Sequence, residues 1–416
     1  MDILRIATAG SVDDGKSTLI GRLLYETNSI TGDKLEALEA ASKRKGLDFV
    51  DLSLLTDGLI AEREQGITID VAHIYFATPR RKYIIGDTPG HFEYTRNMVT
   101  GASNAQVSLI LVDARNGVVE QTFRHFFIAT LMRIPKVVVC VNKMDLVGYS
   151  QARFDEIWAE FDAFAQKIRF DGQQITFIPI SSLYGVNITA KSEEIDWYEG
   201  GSLLDTLENV TPQSELDQPK PARFPVQYVI RPKTEEFHDF RGYAGKIASG
   251  TFAVGDEVVV LPTGLTSRIA TIEKFDHKLD HAGAKESVVI TLETDVDVSR
   301  GNMLVKVGQE PEQRRELTAR VCWLDAQPLT AGRTYLLQHG VNDAKAKVLA
   351  IDEVTHVQTL ETEANAPQLK LNEIGTVRLK TAKPLFADRY AANPANGAFI
   401  LVDEFSHSTV GVGFVE

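Results

Sequence analysis

The chain has 416 residues, of which 44% are hydrophobic and 24% are charged, and its formal net charge is −13. This length exceeds what one hydrophobic core supports and predicts roughly two to four domains. The acidic balance disfavours a protein that coats nucleic acid nonspecifically, so no nucleic-acid partner is predicted.

The first residues enter a predicted strand directly, without the charged and apolar regions of a signal peptide. No apolar run approaches the roughly 18 residues that a membrane span needs. Cys140 and Cys322 both stand in apolar β patterns, which is typical of reduced thiols in a cytosolic core. These features predict a cytoplasmic protein with no membrane partner.

A phosphate-binding loop is predicted near the start of the chain. Residues 10–17 read G-S-V-D-D-G-K-S, between an apolar strand (Ile3 to Ala9) and a helix that begins at Lys16. In such a loop, backbone N–H groups and the helix N-terminus hold the β-phosphate, Lys16 lies between the β- and γ-phosphates, and Ser17 binds Mg²⁺. The residues predicted to contact phosphate in this loop are Gly10, Ser11, Val12, Asp13, Asp14, Gly15, Lys16, Ser17 and Thr18.

Two further loops are suited to sense a γ-phosphate. Residues 64–69 read E-Q-G-I-T-I and place Thr68 in a polar loop, where it can close over Mg²⁺. After a predicted strand from Lys82 to Gly86 comes D-T-P-G, in which Asp87 would hold Mg²⁺ through water and the Gly90 N–H would reach the γ-phosphate. Loops that hold a γ-phosphate and relax after hydrolysis form a GTP switch.

His91 follows this second loop directly and is the predicted catalytic residue. Phosphoryl transfer to water requires the protein mainly to position that water and to stabilise charge. A histidine beside the Gly90 turn can orient the attacking water. The alternative is that His91 only caps the helix predicted from Phe92 to Asn104.

The base is indicated by N-K-M-D at residues 142–145, after an apolar strand from Lys136 to Val141. In open α/β sheets, ligands bind at the carboxyl ends of such strands. Asp145 can accept hydrogen bonds from N1–H and the 2-amino group of guanine, a donor pair that adenine lacks. Asn142 would join this loop to the phosphate loop, and the stem of Lys143 would cover the base.

A third segment completes the predicted guanine site. Ser181, Ser182 and Leu183 follow a predicted strand from Thr176 to Ile180, and a backbone N–H there can donate to guanine O6. Together the motifs, in this order, predict a GTPase domain.

These motifs (G-x-V-D-x-G-K-S, R-E-Q-G-I-T-I, D-T-P-G-H, N-K-M-D and S-S-L) resemble the translation-factor class of GTPases. Within that class the chain is similar to the large, GTP-hydrolysing subunits of bacterial sulfate adenylyltransferase, and Asp14 stands where elongation factors usually have histidine. The stretches that carry this second resemblance are residues 11–17, 57–71, 94–98, 223–229, 239–245, 388–390 and 393–394.

The resemblance implies that GTP hydrolysis, with Mg²⁺, drives synthesis of adenylylsulfate and pyrophosphate from ATP and sulfate. That reaction would occur in a separate small ATP-binding subunit, in a hetero-oligomer such as a heterodimer. No second phosphate loop follows residue 17, so a fused adenylylsulfate kinase is not predicted. Two alternatives are a translation elongation factor that delivers aminoacyl-tRNA and a regulatory GTP-binding scaffold without coupled chemistry.

The pattern of the chain changes near residue 210. Before it, strands alternate with helices, which predicts a doubly wound, mainly parallel sheet. After a proline-rich linker, short strands broken by glycine and aspartate predict two small antiparallel β-barrels. The predicted domains are a GTP-binding P-loop domain (1–212), a β-barrel domain (222–308) and a second β-barrel domain (314–416).

For two motifs the sequence allows two interpretations each. Arg241 and Tyr243 lie in a glycine-bracketed turn and are either partner contacts or hairpin residues. The basic run at residues 43–45 either contacts phosphate or an acidic partner, or forms a solvated helix face, which is the favoured interpretation.

Overall fold

The computed structural model describes residues 2–44, 46, 50–55, 72–88, 95–211, 220–232, 240–275 and 277–416. The chain divides into two compact units, Met1–Leu216 and Asp217–Glu416. The predicted P-loop residues and the guanine-side loops lie in the first unit. Thr68, Gly90, His91 and residues 212–219 of the proline-rich linker lie outside the described residues, as does Lys45 of the basic run.

The first unit alternates strands and helices, as the sequence predicts. Its elements are β1 (Ile3–Ala9), α1 (Lys16–Glu26), α2 (Gly32–Arg44), β2 (Ala72–Ala77), β3 (Lys82–Asp87), α3 (Thr95–Ala102), β4 (Val107–Asp113), α4 (Glu120–Leu131), β5 (Lys136–Asn142), α5 (Gln151–Ile168), β6 (Gln174–Pro179) and α6 (Leu203–Glu208).

These strands form one sheet in the order β2-β3-β1-β4-β5-β6. All neighbouring pairs are parallel except β2–β3, which is antiparallel. All seven residues of β4 are buried, as expected for a strand that is covered on both faces. Leu19 of α1 belongs to the same core cluster as Ile6 of β1, and Phe126 of α4 packs edge to face on Phe161 of α5. The predicted doubly wound, mainly parallel sheet is confirmed.

The element bounds differ slightly from the prediction. β6 begins at Gln174 rather than at Thr176, because the Gln174 N–H donates to the Pro135 carbonyl at 2.9 Å and starts the strand pairing two residues earlier. Lys43 and Arg44 are exposed in the last turn of α2, as a solvated helix face requires. None of the described helices is both long enough and apolar enough to span a lipid bilayer.

In its described residues, the second unit consists of β-strands, two to 14 residues long, and one helical turn. Its first part comprises β7 (Arg223–Pro225), β8 (Tyr228–Ile230), β9 (Gly242–Lys246), β10 (Thr251–Ala253), β11 (Glu257–Leu261), β12 (Leu265–Lys274), β13 (His277–Leu279), β14 (His281–Gly283), β15 (Ser287–Leu292) and β16 (Met303–Lys306). The remainder comprises β17 (Gln313–Trp323), β18 (Leu329–Thr330), β19 (Thr334–His339), β20 (Asn342–Thr355), β21 (Thr362–Ala364), β22 (Gln368–Leu369), β23 (Ile374–Phe386), α7 (Pro394–Gly397), β24 (Ala398–Val402) and β25 (Thr409–Val415).

The strands of the first part of the second unit form a sheet that closes into an antiparallel barrel. Its strand order is β7-β16-β11-β12-β15-β9-β8, and β7 and β8 are consecutive in the chain. That segment therefore pairs with β16 on one side and with β9 on the other. Gly245 permits this closure, because a Cβ there would lie 2.4 Å from the Pro225 carbonyl oxygen.

Tyr243 lies inside this first barrel. It is 2% exposed, belongs to the core cluster, and donates its hydroxyl to the Val296 carbonyl at 3.3 Å. Arg241 donates to Asp295 within the same barrel. Tyr243 is therefore a barrel residue, which supports the hairpin interpretation over the partner contact.

The second sheet closes in the same way. Its order is β19-β24-β25-β17-β23-β20, and β20 pairs back onto β19. The core contains Trp323, Leu337, Val377 and Leu401 among others. Closure leaves few exposed strand edges, which is how small all-β domains avoid pairing with other chains. The prediction of two small antiparallel barrels is confirmed; their residue boundaries stay a prediction.

A buried ion pair joins the two barrels. Arg223 is 2% exposed, and its guanidinium makes two parallel hydrogen bonds to Asp388, at 3.0 and 2.8 Å. The Asp388 carboxylate also accepts from the amides of Asn393 at 2.8 Å and Asn396 at 2.9 Å. Asn393 reaches back to the Ser249 hydroxyl in the first barrel at 2.9 Å. Each oxygen of the buried carboxylate is thus satisfied, as a buried charge requires.

Arg223→Ala is expected to lower the free energy of unfolding by about 3–5 kcal/mol, because it leaves the Asp388 charge buried without its partner. Urea unfolding followed by circular dichroism measures this. The matched control is Arg268→Ala, which breaks an exposed ion pair to Glu257 (2.7 Å, both side chains 57% exposed). This control should cost less than about 1 kcal/mol, and equal costs for the two variants would contradict the assignment.

Candidate nucleotide-binding site

The carboxyl ends of four neighbouring strands meet at one edge of the first unit's sheet. Thr8 at the end of β1 lies opposite Asp87 at the end of β3, and Asp113 at the end of β4 lies opposite Asn142 at the end of β5. Residues 10–17 leave β1 at the same edge. The strand order therefore gathers motifs that are more than a hundred residues apart in the chain.

The loop at residues 10–17 has the backbone that its glycines predict. Gly15 has φ +92°, and a Cβ on it would lie 2.5 Å from the Asn142 amide nitrogen, so only glycine fits there. Lys16 is buried, and its ammonium donates to the carbonyls of Gly10 at 2.7 Å and Ser11 at 3.1 Å. Burial lowers the pKa of Lys16, while Asp87 and Asp14 act to raise it. The ammonium is thus fixed inside the loop.

The Asp14 side chain stabilises the loop by a hydrogen bond within it. Its carboxylate accepts the Ser11 N–H at 2.6 Å, and the residue is 5% exposed. Burial raises the pKa of Asp14, and the Ser11 N–H and the Lys16 ammonium only partly oppose this. Val12 is 39% exposed, and Asp13 has a left-handed φ of +66°. Ser17 and Thr18 lie in the first turn of α1.

Asn142 joins three of the predicted motifs. Its amide nitrogen donates to the Asp14 carbonyl at 2.7 Å. Its amide oxygen accepts the Ser182 N–H at 3.0 Å and the Ser182 hydroxyl at 2.9 Å. Asn142 and Ser182 are 1% and 2% exposed. The phosphate loop and the two guanine-side loops are therefore held by one side chain.

Lys143 bridges the base-side loop and the phosphate loop. It has a left-handed φ of +62°, which turns its side chain toward the loop at residues 10–17. The ammonium donates to the Asp13 carbonyl and lies 3.0 Å from the Asp113 carboxylate. Arg115 donates to both oxygens of the Asp113 carboxylate, at 3.0 and 2.6 Å, and shares the nearer oxygen with Lys143.

Asp145 is oriented by Ser181. The Ser181 hydroxyl donates to the Asp145 carboxylate at 2.6 Å, which brings the N-K-M-D and S-S-L motifs together. The loop after Ser181 is supported from α1, since Arg22 donates to the carbonyls of Ser182 at 3.2 Å and of Leu183.

The predicted metal ligands are only partly described. Asp87 is 1% exposed and accepts from the Thr8 hydroxyl at 3.1 Å. A hydroxyl at Ser17 and a carboxylate at Asp87 are the hard oxygen donors that Mg²⁺ prefers, so these two residues fit that ion. Thr68, Gly90 and His91 lie outside the described residues, and their roles stay predictions.

Residues 1–213 match the family model of the elongation factor Tu GTP binding domain, and residues 316–416 match the GTP-eEF1A C-terminal domain-like model. The chain is 48% identical to sulfate adenylyltransferase subunit 1 of Bacteroides fragilis, over 100% of this chain and 86% of that protein. The same-named protein of Erwinia tasmaniensis is 47% identical, over 99% and 86%. The chain belongs to the family of sulfate adenylyltransferase subunit 1.

Two further comparisons concern a longer relative and a solved structure. The bifunctional enzyme CysN/CysC of Mycobacterium tuberculosis is 50% identical over 99% of this chain, which spans 67% of that protein. Among solved structures, the Saccharomyces cerevisiae Ski7 GTPase-like domain, bound to GDP and inorganic phosphate, has a TM-score of 0.54. It covers 100% of this chain and 97% of that chain at 16% identity, so the likeness shows the fold alone.

For this member of the sulfate adenylyltransferase subunit 1 family, sequence reasoning missed three supporting residues: Asp113, Arg115 and Arg22. A signal existed for Asp113, because it ends a buried apolar strand just as Asp87 and Asn142 do. No pattern in the sequence indicates Arg22, since the Ser182 and Leu183 carbonyls are brought near it only by the fold, whereas Arg115 bonds to Asp113 only two residues away in the chain.

Asp113→Asn is expected to lower the free energy of unfolding by about 1–2 kcal/mol at neutral pH. Burial alone would raise the pKa of Asp113, but hydrogen bonds from Arg115 and Lys143 hold it at about 2, below the unfolded value of about 4. The charged carboxylate therefore stabilises the fold above about pH 4, and this stabilisation is lost as the pH falls toward 2.

Unfolding measured in urea between neutral pH and about pH 3 tests this. The difference in free energy of unfolding between wild type and Asp113→Asn should become smaller as the pH falls. Asp155→Asn, at an exposed position of α5, is the control and should track wild type throughout. A gap that is constant with pH would mean that the Asp113 charge does not contribute.

Proposed function

We propose that this chain is the GTP-hydrolysing subunit of a sulfate adenylyltransferase. It binds GTP with Mg²⁺ at the sheet edge of the first unit. Hydrolysis drives the synthesis of adenylylsulfate and pyrophosphate from ATP and sulfate in a small ATP-binding partner subunit, with which the chain forms a hetero-oligomer. Because the mixed anhydride of adenylylsulfate is higher in energy than the bond it replaces, the reaction needs such coupling.

The observation that carries this proposal is the Asn142 bridge. One buried amide contacts the phosphate loop and the S-S-L loop, and it stands at the head of the N-K-M-D motif. A site that reads phosphates at one end and a base at the other needs these parts at a fixed separation. The full-length relationship to sulfate adenylyltransferase subunit 1 supports the coupled reaction.

The guanine base is recognised by Asp145, Lys143 and the S-S-L loop. The Asp145 carboxylate, oriented by Ser181, accepts from the N1–H and 2-amino groups of guanine. The Lys143 stem covers the base, and a backbone N–H of the S-S-L loop donates to O6. Adenine would leave the Asp145 acceptors unpaired, which is the basis of selectivity.

The other motifs bind the phosphates and carry out hydrolysis. Lys16, the N–H groups of residues 10–18 and the start of α1 hold the phosphates, while Ser17, Thr68 and Asp87 hold Mg²⁺ directly or through water. The bound Mg²⁺ neutralises charge on the β- and γ-phosphates. Gly90 contacts the γ-phosphate, and His91 orients the attacking water.

The chain is proposed to act in the cytoplasm. Cys140 and Cys322 are both buried and neither forms a disulfide within the described part of the chain, as expected in a reducing compartment. Burial raises the pKa of Cys140 to about 12, so this thiol stays protonated and unreactive.

Asp145→Asn should weaken GTP binding by at least about 1–3 kcal/mol, because a buried polar contact to the base is left unpaired. The same variant should favour xanthosine triphosphate, whose 2-oxo group accepts from the new amide. Competition binding with both nucleotides measures this. Asp155→Asn is the control, and equal GTP affinity in Asp145→Asn and wild type would remove Asp145 from the base site.

The coupled reaction is tested with the purified chain and its small subunit. Alone, the chain should hydrolyse GTP slowly and form no adenylylsulfate. Together with the small subunit, ATP and sulfate should accelerate GTP hydrolysis, and adenylylsulfate should accumulate beyond the level reached without GTP. His91→Ala should bind GTP normally but hydrolyse it about tenfold more slowly or worse, because water positioning acts in the transition state.

Two outcomes separate the parts of this proposal. Normal hydrolysis by His91→Ala in the activated complex would leave His91 as a helix cap. Stimulation by ribosomes and tight binding of aminoacyl-tRNA, without any response to sulfate, would contradict the sulfate reaction and favour an elongation factor.

A further inference from the structure

Arg22 lies on the inner side of α1, the helix that begins at the phosphate loop. Its guanidinium Nε donates to the Ser182 carbonyl at 3.2 Å, and Nη2 donates to the Leu183 carbonyl. The side chain is 17% exposed. One arginine thus connects the phosphate-binding helix to the loop that is proposed to read guanine O6.

The two carbonyl contacts determine which way the neighbouring N–H points. In a planar trans peptide, the C=O of one residue and the N–H of the next point in opposite directions. With the Ser182 carbonyl drawn toward Arg22, the Leu183 N–H is directed away from α1. The Ser182 N–H already donates to Asn142. Across the described part of the chain, the Leu183 N–H has no acceptor.

Arg22 is itself held in place from two directions. Glu26, one turn later on α1, lies 3.8 Å from the guanidinium and also accepts from the Thr189 hydroxyl. The Tyr25 ring centroid lies 5.8 Å from the guanidinium carbon. These contacts limit the rotamers of Arg22, so the carbonyls that it holds are presented in one orientation.

We propose that Arg22 is a positioning residue for guanine specificity. It orients the peptide between Ser182 and Leu183 so that the Leu183 N–H donates to the 6-oxo group of guanine. Arg22 does not touch the nucleotide in this proposal. The inference rests on the proposed GTP site and names the residue that makes that site selective at O6.

The test compares binding of GDP with binding of 2-aminopurine riboside diphosphate, which lacks the 6-oxo group and the N1–H; the loss of the N1–H contact to Asp145 is the same in wild type and variants, so it does not affect their comparison. Arg22→Gln should weaken GDP roughly three- to tenfold, the range for one neutral hydrogen bond, and should change the affinity of the 2-aminopurine nucleotide less than about twofold. Arg22→Lys keeps a cation within reach of the carbonyls and should lie between wild type and Arg22→Gln. It also keeps the test informative if Arg22→Gln does not fold.

The matched control is Arg81→Gln. Arg81 is a buried arginine of the first unit that, like Arg22, donates to a backbone carbonyl, that of Leu207 at 3.0 Å, away from the loop motifs. Its loss should leave the ratio of the two affinities unchanged.

Equal weakening of both nucleotides by Arg22→Gln would overturn the proposal and make Arg22 a purely structural residue, as would unchanged GDP affinity. If the wild type bound ADP as tightly as GDP, the proposed guanine site itself would be wrong, which is a separate result.

Discussion

The first unit depends on the buried amide of Asn142. It donates to the Asp14 carbonyl and accepts both donors of Ser182, so it satisfies polar groups on loops that lie near opposite ends of the first unit's sequence. An amide is suited to this position because it offers a donor and an acceptor at once and carries no charge to desolvate. The close approach also explains Gly15, where any side chain would collide with Asn142.

At the same sheet edge, positively and negatively charged side chains lie next to one another. Lys16 lies near Asp14 and Asp87, while Asp113 lies between Arg115 and Lys143. Buried charges are tolerated only when each has a partner or a hydrogen bond, and here Asp113 is paired with Arg115 from its own loop and with Lys143 from the loop after β5. The arrangement holds the ammonium groups of Lys16 and Lys143 against the loop at residues 10–17, where phosphates are proposed to bind. It therefore prepares the site electrostatically before any nucleotide arrives.

In the second unit few helices pack on the sheets, so the strands must bury their apolar faces and pair their edges among themselves. Each sheet closes on itself, through the β7–β8 segment in one barrel and the β19–β20 pairing in the other. The two barrels are then linked by Arg223 and Asp388, whose bidentate contact is nearly excluded from water. An interaction of this geometry resists rotation as well as separation, since two parallel hydrogen bonds must break together. The stretches that contain these residues are among those that resemble the family.

The sequence by itself determined the alternation of strands and helices in the first unit, the two barrels and the order of the nucleotide motifs. Each of these rests on local information: β5 is a continuous apolar run, and Gly15 stands where the turn needs a left-handed residue. Only the tertiary structure decided that Asp113 supports Lys143, that Arg22 holds the carbonyls of Ser182 and Leu183, and that Tyr243 is buried. These contacts join residues far apart in the chain, and a charged or aromatic side chain has many possible partners until the strand order selects one.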